Sequence, residues 1–210
     1  MKRNRILPVI AVAAFMAVAA PNANAGILVK SANDCGTESI ENPFTRWGDD
    51  NNYVAVPNGN LENGSADWSL SGSSVVAGNE PWKVHDSGDD SSLKIPAGKS
   101  AVTGTMCVGL EHPTLRFFSK STSGGGLLGG LLSTLVVEVQ TELSTGTVVT
   151  LPVGVVLPNG QWRPSPTYLV VANLLPLLPG DHAPVRFKFT AVGGAGWQID
   201  DVYVDPRSKL

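Results

Sequence analysis

Apolar and polar residues alternate along several segments of the chain, as they do in β-strands with one buried face. In the segment 185–191, Val, Phe, Phe and Ala alternate with Arg, Lys and Thr. Leu135, Val137 and Val139 alternate with more polar residues in the same way. This period of two predicts half-buried strands. Further candidate strands are 53–56, 68–70, 74–77, 92–95, 101–108, 115–119, 147–156, 168–172 and 197–204.

Turn-forming residues separate these segments, including Pro-Asn-Gly at 57–59 and again at 158–160. No capped window of ten or more residues has helical periodicity, and no β-α-β alternation is present. About ten short strands joined by regular turns predict an all-β protein, an antiparallel β-sandwich or barrel.

The N-terminal segment has the pattern of a secretory signal peptide. Three basic residues among the first five precede an uncharged run over 6–20, and Ala23 and Ala25 supply the small residues of a cleavage site. An uncleaved membrane anchor is the alternative, but about 20 apolar residues are needed to span a bilayer. We therefore expect cleavage after Ala25, no stable membrane insertion, and a secreted or extracellular protein, with a periplasmic or cell-surface location also compatible.

The rest of the chain divides into one domain with short extensions. We assign residues 1–25 to the signal peptide, 26–50 to an N-terminal lead-in, 51–206 to the β-sandwich domain and 207–210 to a C-terminal tail.

The chain has two cysteines, Cys35 and Cys107. An oxidising compartment favours a structural disulfide over two free thiols. Closing a loop of this size stabilises the fold by about 4 kcal/mol on the chain-entropy model. The bridge would pin the lead-in to the sandwich domain.

Charge and motifs exclude several function classes. The formal net charge is −3, and it becomes −6 when the signal peptide takes three basic residues and no acidic one with it. An acidic chain does not favour a nucleic-acid-binding surface. The chain contains no G-x-S-x-G, H-E-x-x-H or phosphate-binding loop motif, so we predict a non-catalytic protein.

Two motifs resemble a known family. Asn-Gly-Asn-Leu-Glu at 58–62 is followed by Trp68, and Ile-Asp-Asp-Val stands at 199–202. The pairing resembles the first and last strands of galactose-binding-like jelly rolls, including carbohydrate-binding modules, although Asn60 and Leu61 replace the family's Asp and Phe. The wider chain is also similar to a group of exported bacterial proteins. The resemblance implies a jelly-roll sandwich that binds carbohydrate.

The closing strand carries adjacent carboxylates. Strict alternation places Asp201 on one face with Ile199 and Tyr203, and Asp200 on the other, so one carboxylate points inward. A buried carboxylate must be paired, neutralised or metal-bound. The resemblance implies a structural calcium ion held by Glu62 together with Asp200 or Asp201. A bulge that turns both Asp side chains to solvent, or hydrogen bonds to backbone amides, is the alternative.

Trp68 and Trp197 lie in strand patterns and are predicted core residues. Trp82 and Trp162 lie beside turns, and Arg163 follows Trp162. Flat aromatic rings on loops suit the CH face of a sugar ring, and nearby polar groups can bind its hydroxyls. We therefore take Trp82, Trp162 and Arg163 as candidate ligand-binding residues. The alternative is that either Trp caps one end of the core.

Two leucine-rich segments, 123–132 and 173–179, interrupt the strand pattern. Exposed together, residues such as Leu127, Leu128, Leu174 and Leu175 would form an apolar patch suited to self-association. Folded back, they would cover an open edge of the sandwich instead.

The function predicted from sequence is thus a secreted, non-catalytic binding module for extracellular or cell-wall carbohydrate. The alternative is a structural or surface-assembly protein, with another copy or a cell-surface component as its partner.

Overall fold

The computed structural model describes residue 35 and residues 38–109, 112–122, 132–143, 145–170 and 182–205. The predicted signal peptide and C-terminal tail lie outside these ranges. Within them, no helix has the length and apolar character needed for a bilayer span.

About half of the described residues lie in β-strands, and turns and loops connect them. The strands are β1 Ile40–Glu41, β2 Tyr53–Ala55, β3 Ser69–Ser71, β4 Ser74–Ala77, β5 Ser91–Ile95, β6 Ser100–Val102, β7 Met106–Gly109, β8 Thr114–Ser121, β9 Thr134–Glu142, β10 Val148–Val156, β11 Arg163–Pro164, β12 Tyr168–Leu169, β13 His182–Val192 and β14 Trp197–Asp205.

The strands form two antiparallel sheets. In the front sheet, β14 pairs with β8 on one side and with β2 and β5 on the other, while β1, β4, β11 and β12 extend it. In the back sheet, β9 lies between β10 and β13. On its other side β13 pairs with β6 and β7, and β3 pairs with β6. The chain crosses repeatedly between the sheets, which confirms the predicted antiparallel jelly-roll sandwich.

The main core lies between the two sheets. Buried and partly buried positions alternate along β9 and β13, as the sequence pattern predicts. Trp68 and Trp197 are buried in this core, which confirms their predicted role. The rings of Trp68 and Phe189 are stacked with their centroids 6.2 Å apart, and the Trp68 indole N–H donates to the Asn58 carbonyl at 2.9 Å.

A β-bulge interrupts β14. The register with β8 shifts between Asp200 and Tyr203, and Asp201 has a φ of +48°. Ile199 before the bulge and Val202 after it both line the main core. Asp200 and Tyr203 therefore lie on the outer face of the front sheet. The strict alternation predicted for this strand is wrong, because the extra residue changes the face of every residue that follows it.

The described part of the lead-in, residue 35 and residues 38–50, is packed against the front sheet. The predicted disulfide between Cys35 and Cys107 is present, with Cα atoms 5.5 Å apart. β1 pairs with β2, and a 3₁₀ turn at Thr45–Trp47 follows Phe44, which is completely buried. The lead-in thus covers part of the front sheet's outer face.

Candidate functional site: an aromatic surface on the front sheet

A second hydrophobic cluster lies on the outer face of the front sheet. Phe44, Tyr53, Phe118 and Tyr203 are all buried there and separate from the main core. Phe118 belongs to this cluster because β8 alternates, so that its neighbour Phe117 faces the main core instead. We call these four residues the outer aromatic cluster.

Three half-buried tryptophans surround the outer aromatic cluster. Trp47 comes from the lead-in, Trp82 from the loop before β5, and Trp162 from the residue preceding β11. The ring centroids of Trp47 and Trp82 are 4.8 Å apart at 85°, and they lie 5.2 and 5.6 Å from that of Phe118. We call Trp47, Trp82 and Trp162 the aromatic surface.

Basic side chains lie over the rings of the aromatic surface. Lys120 Nζ is 4.8 Å from the Trp162 ring centroid, and Arg46 Cζ is 5.9 Å from that of Trp82. Both distances are within the range of cation–π interactions. Neither Lys120 nor Arg46 has an acidic partner among the residues that the structure describes.

Arg116 differs from these two cations because it is neutralised. Its guanidinium lies 4.5 Å from the Phe44 ring centroid and pairs with the Asp49 carboxylate. Asp49 also accepts a hydrogen bond from the Tyr53 hydroxyl at 2.7 Å. The pKa of Asp49 lies below its usual value, because these hydrogen bonds and the Arg116 charge outweigh its desolvation. This ion pair fastens the lead-in to β8.

Of the predicted ligand-binding residues, the structure brings Trp82 and Trp162 together on one cluster. Arg163 is exposed and pairs with Ser119, so these two side chains lie on the same face of the sheet. Adjacent strand residues point to opposite faces, so Lys120, which follows Ser119, and Trp162, which precedes Arg163, both lie on the other face. The role assigned to Arg163 stays a prediction.

Trp47, Arg46 and Lys120 were not singled out by sequence. Lys120 comes directly after the predicted strand 115–119 and two residues after Phe118, so extending the strand by one residue would place both on one face. The lead-in residues had no such signal, because nothing local indicates where the segment lies.

A buried carboxylate shapes the loop that carries Trp82. Glu80 is fully buried, and its two carboxylate oxygens accept the backbone N–H groups of Trp82 at 2.6 Å and Val84 at 2.7 Å. The Glu80 N–H in turn donates to Asp200 Oδ2 at 2.9 Å. The position of Trp82 therefore depends on an acidic residue anchored to the bulged strand.

The lead-in, this loop and β14 also meet at Glu41. Its Oε2 accepts the Tyr203 hydroxyl at 2.9 Å and lies 3.0 Å from His85 Nδ1. The pKa of His85 is raised by the hydrogen bond and charge of Glu41, although desolvation opposes the rise. Hydrogen bonds to Glu41 thus connect three separate segments of the chain.

Several carboxylates are buried beside the bulge. Asp200 and Asp201 are both almost inaccessible, and desolvation followed by repulsion between carboxylates raises the pKa of each. The pKa values of Glu80 and Asp89 are also raised, mainly by desolvation. This group favours either bound protons or a bound cation.

The three predicted calcium ligands differ in how many hydrogen bonds their carboxylates accept. Glu62 Oε1 accepts the N–H groups of Asp90 and Ser91, at 2.8 and 2.7 Å, and Asp200 accepts those of Glu80 and Asp201. In contrast, neither oxygen of Asp201 has a hydrogen-bond partner among the described residues.

Glu62, Asp200 and Asp201 do not form a ready-made three-carboxylate site. Within the described ranges, no group of three or more His, Cys, Asp or Glu side chains is arranged to hold a metal ion. Asp201 is the predicted ligand whose unpartnered oxygens fit a cation.

The leucines proposed for self-association, Leu127, Leu128, Leu174 and Leu175, lie outside the described residues.

Comparisons with known proteins give a distant likeness of fold. No protein-family model and no curated protein matches the sequence. The enzymatically active domain of bacteriophage CBA120 tailspike protein 4 is similar with a TM-score of 0.44 and 16% identity over 72% of this chain. This chain spans 21% of the length of that tailspike chain.

Two carbohydrate-binding modules are also similar. One is TmCBM61, solved with β-1,4-galactotriose, with a TM-score of 0.43 and 16% identity over 72% of this chain and 97% of the module. The other is the C-terminal family 22 module of Clostridium thermocellum Xyn10B, with a TM-score of 0.41 and 16% identity over 72% of this chain and 93% of the module. Identities and TM-scores this low say nothing about what this chain binds.

Proposed function

We propose that this protein is a secreted, non-catalytic module that binds carbohydrate through the aromatic surface. The observation that carries the proposal is that Trp47, Trp82 and Trp162 all pack against the outer aromatic cluster, the first two directly against the ring of Phe118. These tryptophans come from three segments that are distant in sequence, and each keeps part of its ring accessible.

An indole ring suits a sugar because it offers a flat apolar face to the CH groups of the pyranose and an N–H donor at its edge. Packing against the outer aromatic cluster limits the rotamers of the tryptophans, so less side-chain entropy is lost on binding. A ligand lying across several rings would bury more apolar area than one on a single ring. An extended oligosaccharide is therefore favoured over a monosaccharide.

Export is the part of the proposal that rests on the N-terminal sequence pattern and the disulfide. A bridge between Cys35 and Cys107 suits an oxidising compartment. The same bridge holds the lead-in, which carries Trp47, close to the sandwich at Cys35.

We also propose that a calcium ion binds beside Asp201. The supporting observation is a buried carboxylate with two unpartnered oxygens, surrounded by the charges of Glu80, Asp89 and Glu41. Calcium accepts carboxylate, backbone carbonyl and water oxygens in flexible geometry, so one free carboxylate with other oxygen donors can suffice. Such an ion would hold the bulge and would thereby support the loop that carries Trp82.

Self-association is a second candidate function, favoured by a patch on the back sheet. Leu132, Val155, Leu157 and Val192 are exposed near one end of this sheet, and Leu132 and Leu157 keep 79% and 69% of their accessible area. Leu132 is the last residue of the first leucine-rich segment. Clustered exposed apolar side chains are typical of protein contact surfaces.

The carbohydrate proposal predicts that Trp82→Ala and Trp162→Ala each weaken binding to an oligosaccharide by about tenfold or more, because each removes a stacking surface. Trp82→Phe, which keeps an aromatic ring, should retain most of the affinity. Isothermal titration calorimetry with glycans chosen from a glycan array measures the effect. Leu157→Ala, on the other sheet, is the matched control. Unchanged affinity in both tryptophan variants would refute the proposal.

The calcium proposal predicts that the unfolding free energy depends on pH differently with and without the ion. In chelator, the raised pKa values of Asp200, Asp201, Glu80 and Asp89 make the folded protein hold more protons than the unfolded chain above pH about 4. The unfolding free energy should therefore fall as pH rises from about 5 to about 8. Added Ca²⁺ should restore the melting temperature most strongly at the higher pH.

Asp201→Asn should remove this response to Ca²⁺ and lessen the fall with pH, whereas the exposed-site control Asp50→Asn should change neither. Differential scanning calorimetry provides the measurement. A melting temperature at pH about 8 that is the same in chelator and in Ca²⁺ would rule out the ion.

The self-association proposal predicts a sedimentation coefficient that rises with protein concentration. Replacing Leu132 and Leu157 by Ser should abolish the rise, because the patch loses its apolar area. A separate variant with Leu127→Ser and Leu128→Ser alone should weaken the rise. Ile40→Ser, at an exposed apolar site on the front sheet, is the control. A strict monomer at all concentrations would exclude this function.

A further inference from the structure

Two basic side chains lie over the rings of the aromatic surface, although the chain as a whole is acidic. Arg46 and Lys120 lie over Trp82 and Trp162, and both lack an acidic partner in the described part of the chain. The formal net charge of the whole chain is −3. Two unpaired cations above two tryptophans are therefore a local reversal of the protein's overall charge.

The acidic residues near this surface do not cancel these cations. Asp49 is already paired with Arg116 and with the Tyr53 hydroxyl. Glu80 and Asp200 are fully buried and accept backbone N–H groups. A ligand approaching from solvent thus meets indole rings and cationic groups.

A neutral sugar would gain little from these cations, and it would have to share the ring faces with them. A cation over an exposed aromatic ring is held only weakly, so its side chain can move aside at little cost. A carboxylate on the sugar would keep the cation in place instead, because a charge-assisted hydrogen bond forms beside the stacked ring. Arg46 can bind a carboxylate with two parallel N–H groups, and Lys120 offers a flexible ammonium.

We infer that the ligand is an anionic polysaccharide bearing carboxylates, with its rings on the tryptophans and its carboxylates paired with Arg46 and Lys120. This inference rests on the proposed function, since it assigns a substrate class to the same surface. It adds a charge requirement that stacking alone does not impose.

Polygalacturonate and its fully methyl-esterified form provide matched probes, because they share one backbone and differ in charge. Affinity for the acid form should exceed that for the ester by about tenfold at low salt. It should fall as ionic strength rises, because salt screens exposed charges. Lys120→Gln combined with Arg46→Gln should remove the preference, Lys120→Arg should retain it, and Lys99→Gln, a cation in a distant turn, should have no effect.

The outcomes separate the two proposals. Equal binding of acid and ester that Trp82→Ala abolishes would overturn the charge inference and leave the carbohydrate proposal standing. Binding of neither form, together with no binding to any neutral glycan, would remove both. Equally tight binding to dextran sulfate, weakened as much by Lys99→Gln as by Lys120→Gln, would show a nonspecific polyanion effect and would also overturn the inference. Unchanged melting temperatures establish that each variant is folded.

Discussion

Phe118 imposes the constraint on which the rest of the site depends. It projects from the outer face of the front sheet, away from the main core, and is nevertheless completely buried. Burying a Phe side chain contributes about 2 kcal/mol, so the outer face must be covered for the sheet to gain this stabilisation. The lead-in and the loop before β5 provide that cover with Phe44, Trp47 and Trp82. The tryptophans at the margin of this cover remain accessible to a ligand.

Polar interactions hold the covering segments in place. Arg116 and Asp49 fasten the lead-in to β8, whereas Glu80 ties the loop to the bulged strand through Asp200. The bulge therefore has a structural consequence beyond its own strand. Asp200, just before the shift in register, faces outward and its carboxylate accepts the loop's N–H group, while the bulge leaves Asp201 buried without a hydrogen-bond partner among the described residues.

Alternation in the sequence predicts the sheets well because the period of two reports burial on one face. The segment 185–191 and the pattern around Val137 become the central strands β13 and β9 of the back sheet. The predicted disulfide is also confirmed, since a chain with two cysteines allows only one pairing within itself. These features depend on local pattern or on simple counting.

The site was only partly predictable because it depends on contacts between distant segments. Trp82 and Trp162 were recognised as tryptophans beside turns, but no local pattern indicated that Trp47 joins them. The faces of Asp200 and Asp201 were assigned by strict alternation, and a bulge has no dependable local signature. Lys120 was overlooked because a solvated charge and a charge over an indole ring look the same in sequence.

The central claim is that a ligand contacts the three tryptophans of the aromatic surface and leaves the two core tryptophans untouched. Nuclear magnetic resonance of the indole N–H groups tests this directly, because the chain has five tryptophans. On addition of an oligosaccharide, the account predicts shifts for Trp47, Trp82 and Trp162, with Trp68 and Trp197 unchanged. Saturable binding that leaves the resonances of the aromatic surface unmoved would contradict it.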